Sequence, residues 1–389
     1  MISVLGTPLP AGAAERIAAA KLVVGAARHL STVDTTAETV VLGEVPAAVA
    51  RLAAHDGPAV VLASGDPGFF GIVRALRAAG LDVDVLPAPS SVAVAFARLG
   101  LPWDDALVVS AHGRSLRPVV HACRAHRKVA VLTGPGTGPA EIGAALRDVP
   151  RRLVVAERLG TADERITETT PAEAVTARWH DPNVVLVLGP GPVAAAPGWV
   201  AGNPPGPAGW ALPEAAFAHR DSMITKAEVR AVALARLGPR LGDLVWDIGA
   251  GSGAVAVECA RFGAAVLAVE RDPVACQGIR DNARAHGVEL AVVGEAAPDC
   301  LAELPDPDAV FVGGGGLDVL RAGAARRPAR LVVALAAVER VGPALAALDG
   351  AGYAAEAVQL QANRYTALPD GTHRLAATNP VHLVSGVLR

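Results

Sequence analysis

Three glycines at alternate positions, Gly249, Gly251 and Gly253, follow an apolar run that begins at Val245. A residue without a Cβ tolerates left-handed dihedrals and lets a ligand approach the main chain, so this spacing is typical of a nucleotide-binding turn between a strand and a helix. Glu270 ends the next apolar run, at about the separation at which a carboxylate binds a ribose diol. The sequence therefore predicts an adenosine site made by this loop and Glu270.

Asp247 lies two residues before the first of these glycines and favours one kind of adenosine cofactor. A carboxylate at the mouth of the turn would repel a pyrophosphate but attract the cationic sulfonium and amino group of S-adenosylmethionine (AdoMet). Two alternatives stay open: a tight turn that binds nothing, since a bare glycine pattern is weakly specific, and an oxidoreductase that binds NAD at this loop. An NAD-binding pattern would want a further glycine at the position of Ala254 and would not favour Asp247.

The composition narrows the classes of function. The chain has 389 residues, enough for two or three domains, with 52% hydrophobic and 19% charged residues. No apolar run approaches the roughly 20 residues that span a bilayer, and the N-terminus has no basic region followed by a long apolar one, so we expect a cytoplasmic protein without a membrane span. A net charge of -3, the lack of a basic run and an aromatic content of 3% argue against nucleic acid as a partner.

The cysteines are widely separated, with no C-x-x-C pair and no histidine at zinc-like spacing. This pattern predicts four buried, reduced thiols at positions 123, 259, 276 and 300, without disulfides. We therefore expect no structural metal.

In the first half of the chain, short β-rich runs alternate with alanine-rich helical stretches, which predicts a mostly parallel sheet covered by helices on both faces. The predicted strands are Val60–Leu62, Val83–Leu86, Ala106–Ser110, Val129–Leu132, Leu153–Ala156 and Val184–Leu188. Ligands bind at the ends of strands in open α/β sheets, and four polar turns follow these strands directly. They contain Gly65 and Asp66, Ser90 and Ser91, His112 and Arg114, and the run Thr133 to Gly138.

Each of these turns also has a purely structural interpretation. Asp66 either contacts the AdoMet amino group or fixes the Gly-Asp-Pro turn, and Ser90 and Ser91 stand at a helix start, where they would serve as caps. Four such turns in succession at strand ends favour a binding site.

A stretch dense in proline and glycine separates the two halves and predicts a semi-rigid linker. We divide the chain into residues 1–198, a linker at 199–212 and residues 213–389. Early in the last part, Thr225 and Glu228 have the spacing of a capping box, so Thr225 is either a helix cap or a ligand contact. Four consecutive glycines from Gly313 to Gly316 follow another strand; a turn needs one or two, so we expect the backbone to approach a ligand there. The remaining predicted strands are Leu331–Ala334 and Ala355–Leu360, and a final pair around Arg374-Leu375 and Val381–Val384 would complete a seven-stranded sheet.

The motifs of the first half resemble those of the tetrapyrrole (precorrin/corrin) methylases. The likeness rests on Ser64-Gly-Asp-Pro-Gly-Phe-Phe-Gly71, on Pro87-Ala-Pro-Ser-Ser91 ahead of Ala-Arg-Leu-Gly-Leu-Pro-Trp-Asp-Asp105, and on Ser110-Ala-His-Gly-Arg114, and it extends through Ala156-Glu-Arg-Leu-Gly160 to Leu188-Gly189. The resemblance implies a two-lobed α/β fold with AdoMet and substrate in the cleft between the lobes. One departure is that the first strand leads into Gly6-Thr-Pro-Leu-Pro10 instead of a Gly-x-Gly-Pro-Gly loop.

The second half resembles the decarboxylating precorrin methylase domain of cobalamin biosynthesis. The shared motifs are Pro-Glu-Ala-Ala-Phe217, Ile-Thr-Lys226-x-Glu-Val-Arg230, Trp-Asp-Ile-Gly-Ala-Gly-Ser-Gly253, Glu-Arg-Asp272, Gly-Glu-Ala296, Pro-Asp-Pro-Asp-Ala-Val-Phe-Val-Gly-Gly314 and Asn379-Pro-Val381. The resemblance implies a Rossmann-like, seven-stranded AdoMet-dependent methyltransferase. Ala334 stands where an asparagine is usual.

Together the resemblances imply an enzyme that methylates C5 and C15 of a tetrapyrrole, removes CO2 from its C12 acetate and binds one AdoMet in each domain. The expected cofactor residues are Asp247, Gly249, Gly251, Ser252, Gly253, Glu270, Arg271, Glu295, Ala296 and Thr225 in the second half, and Gly65, Asp66, Ser90 and Ser91 in the first. The substrate carries many carboxylates, so the expected substrate residues are His112, Arg114, Arg220, Lys226, Gly313 and Gly314.

No catalytic side chain is singled out, because methyl transfer from a sulfonium mainly requires the donor and acceptor to be positioned and water to be excluded. The alternative for four of the substrate residues is that each is a solvated surface residue: His112, Arg114, Arg220 and Lys226. Alternatives for the whole chain are a methyltransferase of single activity with a non-catalytic first domain, and a non-catalytic tetrapyrrole carrier. We also expect a homo-oligomer.

Overall fold

The computed structural model describes residues 1–190, 201, 206–220 and 224–389. The predicted domain boundary after residue 198 lies outside the described residues, as do residues 199–200 and 202–205 of the predicted linker. Within them, the chain forms three sheets of five, five and seven strands and a separate two-stranded ribbon. The α/β class predicted from the sequence is confirmed.

The first sheet is parallel throughout, with the strand order β3-β2-β4-β1-β5. Its three inner strands, β2, β4 and β1, are buried on both faces along most of their length, as continuous apolar runs predict. The sheet brings the ends of β1, β4 and β5 to one edge, where three loops meet. Its strands and the helices between them are β1 Ile2–Thr7, α1 Ala13–Ala19, β2 Leu22–Gly25, α2 Ala27–Leu30, β3 Glu38–Val41, α3 Val45–Ala53, β4 Ala59–Ser64, α4 Val73–Ala78, β5 Val83–Leu86 and α5 Ser91–Arg98.

The second sheet is mixed, with the order β6-β7-β10-β8-β9. Only β6 and β7 pair in parallel; β10 is antiparallel to β7 and β8, and β9 is antiparallel to β8. The single, mostly parallel sheet predicted from strand spacing is therefore wrong, whereas the two lobes implied by the resemblance are present. The elements are β6 Leu107–Ser110, α6 Leu116–Ala125, β7 Lys128–Leu132, α7 Pro139–Leu146, β8 Arg152–Glu157, β9 Arg165–Thr169, α8 Pro171–Thr176 and β10 Asn183–Leu188.

The third sheet has the order β13-β12-β11-β14-β15-β19-β16, in which only β19 runs antiparallel to its neighbours. Fully buried Trp246 and Phe311 lie in its central strands, and helices pack on both faces. The elements are α9 Ala227–Leu237, β11 Leu244–Ile248, α10 Ala254–Arg261, β12 Ala265–Val269, α11 Pro273–Ala285, β13 Ala291–Val293, β14 Ala309–Val312, α12 Gly316–Ala325, β15 Arg330–Leu335, α13 Val341–Gly350, β16 Tyr353–Leu360 and β19 Val381–Leu388, with 3₁₀ helices at Glu214–Ala216, Asp299–Ala302 and Val338–Arg340.

The seven strands match the predicted number, but one predicted member is absent from the sheet. Arg374 and Leu375 belong to β18, His373–Ala377, which pairs with β17, Asn363–Ala367, in the separate ribbon. The strand predicted at Ala355–Leu360 is β16, and all eight of its residues pair with β19 in the sheet. An alternating pattern identifies a strand but does not reveal its partner.

The first half of the chain contacts the seven-stranded sheet through α6. Arg117 donates to Asp308 at 2.8 Å, and His121 Nδ1 lies 3.0 Å from the carbonyl oxygen of Gly242. Asp308 and Gly242 lie just before β14 and β11, so α6 covers the amino ends of these strands. The carboxyl ends, where the glycine loop begins, lie at the opposite edge of the sheet.

Candidate functional site

The glycine loop between β11 and α10 has the backbone that its sequence predicts. Gly249, Gly251 and Gly253 have φ angles of 70°, 55° and 72°, in the region that disfavours side chains. An added Cβ at Gly249 would lie 2.7 Å from the backbone nitrogen of Gly314, and one at Gly253 would lie 2.9 Å from the side chain of Ile279. The glycines are therefore required both by the turn and by its packing.

Asp247 is buried in the domain, whereas the sequence predicted it at the mouth of the turn. Its side chain belongs to a residue that is 1% exposed, and Oδ2 accepts a hydrogen bond of 2.9 Å from the backbone N–H of Ala256 in the first turn of α10. Oδ1 is buried without a partner among the described residues. Burial, assisted by the nearby charge of Glu270, raises the pKa of Asp247 to about 7. Its open acceptor fits a cationic ligand beside the loop.

Glu270 joins the loop to the start of the next helix. Its Oε2 accepts from the N–H of Gly251 at 2.9 Å, and its Oε1 accepts from the N–H of Asp272 at 3.0 Å. Each carboxylate oxygen has a further lone pair. The side chain thus lies where the ribose prediction requires it, at the glycine loop, and retains acceptor capacity for hydroxyl donors.

The four consecutive glycines have structural roles that account for them without a ligand. The close approach that they permit is between two loops, because an added Cβ at Gly313 would lie 3.1 Å from the carbonyl oxygen of Gly249. Gly315 and Gly316 have φ angles of 89° and 76° at the start of α12. Packing between loops and the turn into α12 therefore account for the run, and contact between Gly313 or Gly314 and substrate remains a prediction.

The predicted capping box at Thr225 and Glu228 is wrong. The N-cap of α9 is Lys226, without a side-chain cap, and the first helical N–H, that of Ala227, is bound instead by Glu214 Oε1 at 3.1 Å. Glu228 pairs with Arg364 of the ribbon. A distant carboxylate has thus replaced the local cap, which leaves the Thr225 hydroxyl without a hydrogen bond in the described part of the chain.

The other predicted residues of this half follow neighbouring strands at the same edge of the sheet. Arg271 comes after β12, and Glu295 and Ala296 come after β13, all of them exposed. Ser252 is buried in the glycine loop. Arg220 is exposed and lies 3.6 Å from Asp272.

In the first half, the loops after β1, β4 and β5 are packed against one another. An added Cβ at Gly6 would lie 2.3 Å from the carbonyl oxygen of Gly65 and 2.5 Å from the backbone nitrogen of Ala88. Asp66 Oδ1 accepts from the N–H of Gly68 at 2.8 Å, so the carboxylate fixes its own turn. Ser90 is the N-cap of α5, and it accepts from Ala93 at 3.1 Å; Ser91 is the first residue of that helix.

The second lobe contributes His112 and Arg114, and it meets the first lobe at a residue that the sequence did not single out. The guanidinium of Arg114 lies 5.9 Å from the ring centroid of Phe70. Phe70 is 41% exposed and has a φ of 55°, a rare conformation for a residue with a side chain. His112 Nδ1 lies 3.2 Å from the carbonyl oxygen of Thr133. Phe70 was identifiable only as an apolar residue in a glycine-rich turn.

A polar cluster on the same edge of the first lobe was also missed. His29 Nε2 lies 3.2 Å from Ser64 Oγ and 3.4 Å from Thr7 Oγ1, and Arg28 donates to Ser64 Oγ at 2.9 Å. Burial lowers the pKa of His29. Arg28 and His29 follow β2, which the sequence did not predict, whereas Thr7 and Ser64 end β1 and β4.

A cavity of about 460 Å³ lies between the domains, at the amino ends of the seven-stranded sheet. Arginines line it, but Arg124 pairs with Asp148 and Arg151 pairs with Glu289. None of the predicted site residues lines this cavity, which is part of the interface between the two halves. All four cysteines are free thiols and buried, as predicted. Over the described ranges, no cluster of three or more His, Cys, Asp or Glu side chains is arranged for a metal, and no helix is long and apolar enough to cross a bilayer.

Two known families match this chain. Residues 8–175 match the tetrapyrrole (corrin/porphyrin) methylases, and residues 215–384 match a family described as a precorrin methyltransferase domain. A precorrin-6Y C(5,15)-methyltransferase (decarboxylating) from Sinorhizobium sp is 40% identical over 319 residues, which cover 77% of this chain and 73% of the relative.

Two shorter relatives each match about half of this chain. A probable cobalt-precorrin-6B C(15)-methyltransferase (decarboxylating) from Pyrobaculum calidifontis is 35% identical, covering 45% of this chain and 94% of the relative. A cobalt-precorrin-7 C(5)-methyltransferase from Salmonella typhimurium is 36% identical, covering 48% of this chain and 98% of the relative.

Proposed function

The chain belongs to the family of precorrin-6Y C(5,15)-methyltransferases (decarboxylating), enzymes of cobalamin biosynthesis, and from that premise we propose a division of labour between its two domains. The seven-stranded domain methylates C15 and decarboxylates the C12 acetate; the two-lobed domain methylates C5. This assignment is supported by two relatives that are about half as long and are named for only one of these sets of reactions.

AdoMet binds at the glycine loop of the seven-stranded domain in this proposal. The observation that carries it is the convergence of Glu270 on the N–H of Gly251, beside the buried Oδ1 atom of Asp247, which has no partner among the described residues. Glu270 holds the ribose, Asp247 faces the positive end of the cofactor, and Arg271, Glu295 and Ala296 lie toward the adenine. The Thr225 hydroxyl completes the set from the other side.

AdoMet supplies an activated methyl group, so the protein has to align the meso carbon with it and exclude water. Arg220 and Lys226 bind carboxylates of the macrocycle, and these two positive charges fix its orientation. Gly313 and Gly314 form part of the wall beside it. The conjugated macrocycle, once protonated, accepts the electrons that CO2 leaves behind.

The second AdoMet site is proposed for the cleft of the two-lobed domain. Gly65, Asp66, Ser90 and Ser91 lie on loops that converge at the edge of the first sheet, which supports a single site for them. His112 and Arg114 face this edge from the other lobe and bind the substrate. Because Asp66 and Ser90 already hold backbone N–H groups, they contribute mainly by shaping the loops.

The order of the reactions follows from the same names. The relative that acts on C15 is named for precorrin-6B, and the relative that acts on C5 is named for precorrin-7. We therefore infer that the seven-stranded domain acts first. Cytoplasmic location and a homo-oligomer, both expected from the sequence, remain predictions.

The division of labour is tested by mass spectrometry of the product made by the full chain from precorrin-6Y and AdoMet with a deuterated methyl group. The unaltered chain should add two labelled methyl groups and lose one CO2. Arg114→Ala should add one methyl group and lose CO2, whereas Glu270→Gln should give almost no product. One methyl group without loss of CO2 in Glu270→Gln would reverse the proposed order.

The same assay separates the alternatives. A non-catalytic two-lobed domain would give one methyl group and loss of CO2 with the unaltered chain, and a carrier would give no change in mass. Calorimetric titration with AdoMet and NAD distinguishes the methyltransferase from the oxidoreductase, because only the latter should bind NAD.

A further inference from the structure

The glycine loop is joined to a short stretch of chain that runs ahead of α9, residues 212–220, here named the leading segment. The leading segment ends at Arg220, whose exposed guanidinium lies 3.6 Å from Asp272. Its backbone is held at Leu212, Ala216 and Ala218 by side chains from α9, α10 and α11 and from the C-cap of α11. The geometry of these contacts links the segment to the cofactor loop.

At its start, the leading segment is held by a fully buried ion pair. Arg230 and Glu258 have side chains that are 0% exposed, with Nε and Oε1 3.3 Å apart. Glu258 accepts from the N–H of Leu212 at 2.7 Å, and Arg230 donates to the carbonyl oxygens of Leu212 and Thr225. Burial of two charges is costly unless their hydrogen-bonding capacity is used, and here it is used to fix this backbone.

At its middle, the leading segment is held by a ring and an imidazole. The ring centroid of Phe217 lies 4.9 Å from the Arg230 guanidinium and 4.8 Å from the centroid of His286. His286 Nε2 lies 2.8 Å from the carbonyl oxygen of Ala216. The segment therefore cannot shift without disturbing α9 and α11.

Close to its end, the leading segment is joined to the glycine loop by one side chain. Asn282 Oδ1 accepts from the N–H of Ala218 at 2.8 Å, and Nδ2 donates to the carbonyl oxygens of Ala218 and Ser252, each at 2.9 Å. Asn282 is 3% exposed and lies inside α11, where an asparagine is unfavourable for the helix. All the donors of its amide are used, and they bridge the two backbones.

We propose that Asn282 is a positioning residue that couples the AdoMet loop to the leading segment, so that a bound cofactor holds Arg220 ready for a carboxylate of the tetrapyrrole. This inference rests on the proposed function of the seven-stranded domain. Asn282 touches neither ligand; it acts through the backbones of Ser252 and Ala218. Nothing in its sequence context marks it as part of the site.

Asn282→Asp tests this coupling, because it keeps the size of the side chain but removes both donors and sets a charge against two carbonyl oxygens. Loss of two hydrogen bonds should weaken AdoMet binding to the seven-stranded domain by about tenfold to thirtyfold in calorimetry with the full chain. The matched control is Gln277→Glu, the same chemical change on the exposed face of the same helix, which should leave the dissociation constant within about twofold.

A double variant with Arg220→Gln separates positioning from general stability. Arg220→Gln alone should raise the KM for the tetrapyrrole about tenfold at saturating AdoMet. In the Asn282→Asp background, the same change should have less than about a twofold effect, since Arg220 is no longer held in place. Full additivity of the two effects on KM would overturn the proposal.

A measurement on the unaltered chain covers the case in which Asn282→Asp does not fold. The backbone N–H of Ala218 donates to Asn282 Oδ1, and AdoMet should slow its hydrogen exchange by at least about tenfold. Unchanged exchange at Ala218 in a chain that binds AdoMet at the glycine loop would overturn the inference alone. Absence of AdoMet binding at the loop would overturn the proposed function and this inference together.

Discussion

The two domains place their candidate sites at the same kind of position, the carboxyl edge of a parallel sheet, but hold them in different ways. In the seven-stranded domain, the carboxylates of Asp247 and Glu270 bind backbone N–H groups of the glycine loop and α10. In the two-lobed domain, Gly6, Gly65 and Ala88 are in direct backbone contact. The first site combines closely packed glycines with hydrogen bonds to carboxylates, whereas the loops of the second are held mainly by close packing.

This difference explains how each site can be damaged. A loop held by carboxylates is sensitive to charge and pH, whereas loops held by close packing are sensitive to volume. It also gives the two sites separate weaknesses, so a change at one should leave cofactor binding at the other intact.

The largest effect is expected from Gly6→Ala, which tests the dependence of the two-lobed domain on packing. The added Cβ would meet backbone atoms at 2.3 Å and 2.5 Å, and backbone cannot move aside as a flexible side chain would. Overpacking of this kind should cost about 3 kcal/mol and abolish C5 methylation. The product should carry one methyl group and lack one CO2.

Gly43→Ala is the control for this change, because an added Cβ at Gly43 meets nothing within 4 Å. It should leave both methylations intact. Two methyl groups added by Gly6→Ala at the normal rate would contradict the packing argument.

A smaller effect is expected from replacing one carboxylate by an amide in each domain, Glu270 in the seven-stranded domain and Asp66 in the two-lobed domain. Glu270→Gln retains the side chain but weakens two hydrogen bonds to a carboxylate, and it should weaken AdoMet binding in the seven-stranded domain about thirtyfold. Asp66→Asn, which alters only a turn contact to Gly68, should weaken binding in the other domain less than about threefold. Calorimetric titration of both variants measures the two sites side by side.

A comparable loss of affinity in these two variants would remove the distinction between the domains. It would mean that Asp66 contacts AdoMet directly, which was the alternative to its role in the turn.

The third prediction concerns pH, since only the seven-stranded domain has a buried carboxylic acid beside its loop. The pKa of Asp247 is raised to about 7, so the residue is largely neutral at pH 6 and largely ionised at pH 8. A cationic ligand favours the ionised form; AdoMet affinity at this site should therefore rise up to about tenfold between these pH values, with release of a proton. Titrations in two buffers of different ionisation enthalpy detect that proton.

Stability of the ligand-free domain should change in the opposite direction. A pKa raised above its unfolded value of 3.8 means that the native state holds the proton more tightly, so the free energy of unfolding falls as pH rises through 7. Asp247→Asn should lack this contribution to the pH dependence of unfolding. A binding constant independent of pH in the unaltered chain would place Asp247 away from the cofactor's charge.

Much of this comparison could be predicted from the sequence, and the limits have physical causes. The glycine loop and Glu270 were predictable because local spacing dictates both the turn and the distance to the next strand end. The N-cap of α9 was not, since the group that binds the Ala227 N–H, Glu214, is 13 residues away. Asn282 and Phe70 were missed because their importance arises from partners that only the folded chain brings together.

The smallest effect is expected at the contact that replaced the predicted cap. Arg364 lowers the pKa of Glu214 to about 2, and the two side chains lie 2.8 Å apart while Glu214 also holds the N–H of Ala227. Because the pKa of Glu214 is lower in the folded chain than in the unfolded chain, Glu214 stabilises the fold above pH 4.5. This contribution is lost as pH falls from 4.5 toward 2. After allowance for screening by solvent, it should amount to about 1 kcal/mol.

Urea unfolding of Glu214→Gln at pH 7 and pH 3 measures this contribution. The difference in unfolding free energy from the unaltered chain should be about 1 kcal/mol at pH 7 and should shrink at pH 3, where Glu214 takes up a proton in the unfolded chain. Glu339→Gln, at an exposed glutamate without a partner among the described residues, is the control and should show no difference at either pH. Equal losses for both variants would mean that α9 does not depend on Glu214, so its start would have to be held by the buried Arg230 and Glu258 instead.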